Sequence, residues 1–152
     1  MIALLVLASA AALPLGTKFT CTPERVYDGD GPIWCREGPR LRLGGIAARE
    51  MDGSCRLGHP CPNADAREAR DVLVSLLGGA RGVAPEGHIL VAGSELTCVS
   101  DGSAGGSRTA AWCSLPDGRS LNCSMIATGT VGVWPRYFGS RRCHGSHLAF
   151  KS

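Results

Sequence analysis

The sequence predicts a mainly β fold with packed helices (α+β), in the form of a small barrel that carries two or three helices and is stapled by disulfides. Three observations point there. Twenty-one glycines and nine prolines cut the chain into short segments, as a fold with many turns requires. Short runs with strand character fill most of those segments, and only two stretches carry helical patterning. Eight cysteines in 152 residues supply cross-links to a core that can only be small.

The elements follow in order. The first fifteen residues, MIALLVLASAAALPL, carry no charge and end in small residues and a proline. They are short for a bilayer span and lack a basic start. They read as a signal peptide over 1–15, with Ala8-Ser9-Ala10 or Ala10-Ala11-Ala12 at the cleavage point. Phe19 to Tyr27 reads as a strand, and Asp28-Gly29-Asp30-Gly31 as a hairpin turn that returns through Pro32 to Cys35. Arg40 to Ile46 alternates arginine with leucine until Gly44-Gly45 ends the regularity. Asp52 to Pro62 reads as a loop clipped by Cys55 and Cys61.

Asn63 is the expected cap of a helix running to Leu77 and stopped at Gly78-Gly79, with Ala66, Ala69, Leu73, Leu76 and Leu77 on its apolar face. Residues 80–87 read as a linker. Ile89 to Val91, Leu96 to Val99 and Thr109 to Cys113 supply strands, with a Gly/Ser-rich loop at 101–107. Ser120 to Thr128 reads as a second helix ended by Gly129, and the segment from Val131 onward as irregular and aromatic. The strand count fits a five-stranded oligonucleotide/oligosaccharide-binding (OB) barrel.

An even number of cysteines behind an apolar leader points to disulfides in an oxidising compartment, hence to an exported protein, periplasmic or secreted. Eight cysteines allow about 105 connectivities. Sequence neighbours that could face each other are Cys21 with Cys35, Cys55 with Cys61, Cys98 with Cys113, and Cys123 with Cys143. Cys55, His59 and Cys61 supply only three ligands at no standard zinc spacing. The net charge of +3, with fourteen arginines against two lysines, is compatible with a polyanionic partner without requiring one. His59, His88, His144 and His147 have no partner at ligand or catalytic spacing. Trp34 and Trp112, each beside a cysteine, read as core packing.

Chemistry concentrates between Val26 and Glu50. Asp28 and Asp30 lie in the turn, Arg42 on the following strand, and Glu50 four residues past Ile46. Carboxylates for a base or cation and an arginine for a phosphate are the parts that phosphodiester hydrolysis uses. The set Asp28–Asp30, RLGGIAARE (42–50), a capped helix, SRTAAWC (107–113) and LNCSMIATG (121–129) resembles the staphylococcal-nuclease or thermonuclease-like domain. The resemblance spans 20–143, leaving 144–152 as a short tail.

The resemblance implies an OB-type barrel that cuts DNA or RNA, generally with Ca2+. It places Arg42 and Arg108 on the scissile phosphate, Glu50 on the attacking water, Asp30 on the metal with the Ala48 carbonyl, and Trp134, Arg136 and Tyr137 in the nucleotide pocket. The implied partner is DNA or RNA, single-stranded, met by a monomer with no stable membrane insertion once the leader is removed. Ala47 departs from the family pattern, because it stands where a second metal-ligating aspartate is usual. Arg49 replaces the usual proline and adds positive charge. The competing expectation is a catalytically degenerate exported OB-type module that binds single-stranded nucleic acid or another polyanion without cutting it.

Overall fold

The structure is a computed structural model that describes residues 11–143. Most of the expected signal peptide (1–10) and the whole 144–152 tail, with His144 and His147, lie outside the described residues. The order of elements is β1 (Lys18–Cys21), β2 (Pro23–Val26), β3 (Ile33–Cys35), β4 (Arg40–Leu43), β5 (Ile46–Ala47), α1 (Ala66–Leu76), β6 (Ala80–Val83), β7 (Ile89–Val91), β8 (Leu96–Ser103), β9 (Arg108–Ser114), α2 (Leu121–Ala127), β10 (Gly132–Val133) and α3 (Pro135–Phe138). The fold is β-rich with three short helices. Its curled main sheet has eight strands rather than the expected five, in the order β1-β8-β9-β4-β3-β2-β7-β6.

The difference in count has a simple source. The strand expected over Phe19–Tyr27 is broken at Thr22, and its two halves pair on opposite sides. Lys18 to Cys21 lies against Val99 to Leu96, while Pro23 to Val26 lies against Cys35 to Ile33. A single residue therefore joins two distant positions of the sheet order. One further strand comes from the expected linker over 80–87, and the expected strand Ile89–Val91 stands outside the five. Ala80–Val83 forms β6 on β7, and β7 pairs with β2. Among the described residues the one parallel pairing sets β4 beside β9, with Arg42 opposite Ala110.

Alternation of burial explains the register. In β4 the leucines Leu41 and Leu43 are buried while Arg40 and Arg42 are half-buried, and β9 alternates in the same way from Arg108 to Ser114. A one-residue slip would turn the leucines outward and the arginines into the core. The core gathers Ile33, Leu41, Leu43, Ile46, Leu73, Leu96, Leu121 and Met125, all fully buried.

Helix α1 is capped by Asp65 rather than by the expected Asn63, its side chain accepting from the Glu68 N–H at 2.8 Å. Val74 joins Ala66, Ala69 and Leu73 on its buried face, while Leu76 is only half-buried. α2 is capped by Ser120, and its Asn122 is wholly buried yet fully used. Asn122 accepts from the Cys113 N–H at 3.0 Å and donates to the Gly44 and Ala111 carbonyls at 2.9 and 3.1 Å. That one side chain fixes the end of β4 to β9 and α2.

The four disulfides are Cys21–Cys35, Cys55–Cys61, Cys98–Cys113 and Cys123–Cys143, the four pairs of sequence neighbours. Three of them tie separate parts of the fold and Cys55–Cys61 clips one loop, and together they fit an oxidising compartment. Cys55 and Cys61 are thereby excluded as zinc ligands. Among the described residues no helix is long and apolar enough to cross a membrane.

Candidate active site

The hairpin turn 27–32, the end of β4, the loop 48–62, the facing ends of β8 and β9, and the stretch 134–137 surround a cleft of about 360 Å3. Asp28, Asp30, Arg42, Glu50, Arg108, Trp134 and Tyr137 all line it. Residues far apart in sequence are thus brought to one wall system. Arg136 is not among the lining residues. It is exposed on α3, and its guanidinium lies over the Tyr137 ring at 5.3 Å.

The turn is pressed against α1. A side chain at Gly29 would place its Cβ 2.5 Å from that of Ala69, so only glycine fits. That packing buries Asp28, which is 5% exposed. Burial, then the neighbouring charge and hydrogen bond of Asp30, push the Asp28 carboxyl up to about 9. The fold therefore favours the protonated form of Asp28.

Asp30 is already engaged. Its Oδ2 accepts from the Arg42 guanidinium and from the Ala48 N–H, both at 3.1 Å. The Ala48 amide, rather than its carbonyl, is what meets the aspartate. Arg42 also donates to the Leu43 carbonyl at 3.3 Å and lies over Trp134 at 5.6 Å. Arg108 donates to the Ala104 carbonyl at 2.9 Å and has no carboxylate partner among the described residues. Its charge is the least compensated in the cleft. Glu50 pairs at 3.4 Å with Arg56, which is well exposed, so the pair contributes little to stability and separates readily.

Arg49 does not add its charge to the cleft as the sequence implied. Its guanidinium donates to the Gly53 and Pro62 carbonyls, each at 2.8 Å, and so braces the loop instead. Trp134 is fixed by its N–H to the Gly45 carbonyl at 2.8 Å, with the His59 ring at 4.2 Å and Tyr137 at 4.6 Å. Trp112 packs on Phe138 against the core, as expected. Trp34 does not join the core. It stacks on His88 with Arg25 over its ring.

Three lining residues had no role assigned from sequence: Arg56, His59 and Asp101. Arg56 and His59 arrive on the disulfide-closed loop. Asp101 arrives because β8 continues to Ser103, through the expected Gly/Ser loop, and it pairs with Arg141.

The residues present do not fit a calcium ion. Such an ion takes several anionic or carbonyl oxygens. Ala47 has none to offer from its buried side chain, and Asp30 is held by Arg42 and the Ala48 amide. Among the described residues no three acidic, histidine or cysteine side chains are grouped for a metal. No protein-family model, curated protein or solved structure matches the chain.

Proposed function

We propose that the cleft binds the phosphodiester backbone of DNA or RNA, in single-stranded form, and hydrolyses it by water attack. The observation that carries this reading is the convergence of Arg42, Arg108, Arg56 and Glu50 with Trp134 and Tyr137 around one cleft. Planar guanidinium groups suit the charge that develops on phosphoryl oxygens. Aromatic rings at the rim suit unpaired bases, whose faces are free to stack. Glu50 takes a proton from the water whose oxygen bonds to phosphorus, and the bond to the departing sugar oxygen breaks. No step is assigned to calcium.

The fold is consistent with the thermonuclease-like resemblance. Counting 18–26 as one bent strand leaves a ring of five, in the spatial order β1/β2, β3, β4, β9, β8 and back to β1, with β6 and β7 as an appended hairpin. That arrangement supports an OB-type barrel with its ligand face at the cleft. Export to a periplasmic or secreted location is part of the same reading, supported by the disulfides and the leader.

Ala47 and the engaged Asp30 favour a second reading, in which the cleft binds a single-stranded polyanion without cutting it. One experiment decides. Oxidised protein is incubated with single- and double-stranded DNA and RNA in calcium, magnesium or chelator, with binding and product formation both measured. Cleavage that persists in chelator and disappears in Glu50→Gln, with binding retained, is the expected result. Binding without cleavage in any condition establishes the second reading, and absence of both removes nucleic acid from consideration.

A further inference from the structure

The hydrolysis assigned to the cleft leaves one proton to be supplied. When the P–O bond breaks, the departing sugar oxygen becomes an alkoxide. Without a cation beside it, that oxygen needs a proton in the same step. Guanidinium groups do not release theirs, so Arg42, Arg56 and Arg108 serve only as charge. Imidazole is the side chain that loads and releases a proton near neutral pH.

One imidazole lines the cleft, that of His59. The loop that carries it is fixed at several points. Cys55–Cys61 closes it, the His59 N–H donates to the Arg56 carbonyl at 3.0 Å, and Arg49 ties Gly53 to Pro62. The ring rests on Trp134 at 4.2 Å, and Trp134 is the same ring over which Arg42 lies. His59 and the arginine that would face phosphate thus contact the same indole and line the same cleft, and His59 lies on the loop that follows Glu50. Among the described residues no side chain engages its ring nitrogens. The other described histidine, His88, is instead stacked on Trp34 and lies 3.4 Å from Glu86.

We propose that His59 is the general acid of the cleft, resting on the hydrolytic reading above. Glu50 accepts a proton from the attacking water, the water oxygen bonds to phosphorus, the P–O bond to the leaving sugar breaks, and the His59 N–H proton passes to that oxygen. Glu50 then loses its proton to solvent and His59 regains one, so the cleft returns to its starting state. Trp134 acts here as a positioning residue for the imidazole.

Two substrates test the assignment. An oligodeoxynucleotide has a sugar oxygen as leaving group. Thymidine 5′-(4-nitrophenyl phosphate) releases 4-nitrophenolate, which departs without a proton. His59→Asn is expected to lose about a hundredfold or more in rate on the oligonucleotide and less than about threefold on the nitrophenyl ester. Glu50→Gln is expected to lose on both. His59→Gln is run in parallel, since a variant that merely loosened the loop would lower both rates together. Equal losses on the two substrates, or no loss on either, overturn the assignment of His59. Wild-type protein that cleaves neither substrate overturns the hydrolytic reading itself, and the acid with it.

Discussion

Replacing Asp28 by asparagine should make the protein more stable at neutral pH. Asp28 is 5% exposed, and burial first, then the Asp30 charge, raise its carboxyl from 3.8 to about 9. A folded value above the unfolded one means that the fold prefers the protonated group. The associated stability is complete below about pH 4 and is lost progressively as pH rises towards 9. At pH 7 the fold must hold a proton that the unfolded chain has released, at about 1.4 kcal/mol per pH unit above 3.8, or about 4 kcal/mol in all. Asparagine is neutral in both states and removes that cost. Its side-chain oxygen can still accept from the Asp30 N–H, now at 3.2 Å. Water drawn towards an ionised Asp28 would reduce the gain, so the expected stabilisation is about 2–4 kcal/mol at pH 7, falling to about zero at pH 4. Urea unfolding of both oxidised proteins at pH 4, 5.5, 7 and 8.5 measures it. A difference that stays constant with pH, or an Asp28→Asn protein less stable at pH 7 than at pH 4 relative to wild type, would show that Asp28 is ionised in the fold.

Three other substitutions probe the site and its frame. Ala47→Asp puts a carboxylate at a buried position on β5. In chelator it should cost about 2–4 kcal/mol, and calcium should raise the variant's melting temperature while leaving wild type unmoved. An identical response of both proteins to calcium refutes the diagnosis of a vacated ligand position. Arg108→Ala removes a charge that bonds only loop carbonyls. It should leave the melting temperature nearly unchanged and lower the salt slope of single-strand binding by about 0.7. An unaltered slope would place Arg108 off the backbone path. Asn122→Ala strips hydrogen bonds from Cys113, Gly44 and Ala111 in the core. It should cost about 2–4 kcal/mol in denaturant unfolding, and a loss below about 1 kcal/mol would mean that water replaces the amide.

What the sequence revealed and what it hid divide along a physical line. Features set by near neighbours were legible. The arginine–leucine alternation of β4, the glycine stop after α1, the second helix near 120–128 and the four disulfides between sequence neighbours all depend on local spacing. Features set by pairing across the sheet were not. The break at Thr22 is visible only once its two halves are seen to face β8 and β3, and β6 is a strand only because β7 offers it an edge. The burial of Asp28 likewise depends on a helix distant in sequence meeting Gly29 through Ala69.

The same division explains why the cleft's inventory changed sign. In sequence, Arg49 looked like excess charge where a proline is usual, and His59 like a bystander with no partner at ligand or catalytic spacing. In three dimensions the loop folds back under its own disulfide. Arg49 turns away to hold that loop together, and Arg56 and His59 turn in. Ala47 alone would mark a damaged metal site. Ala47 beside an Asp30 that is spent on Arg42, with three arginines and an imidazole on the cleft, describes a site whose positive charge comes from the chain itself. On the proposed function, such a cleft would attract phosphate through side chains that cannot be chelated away. Its dependence should therefore lie in salt concentration rather than in divalent cation, because guanidinium–phosphate attraction weakens with screening and a chelator removes nothing it needs.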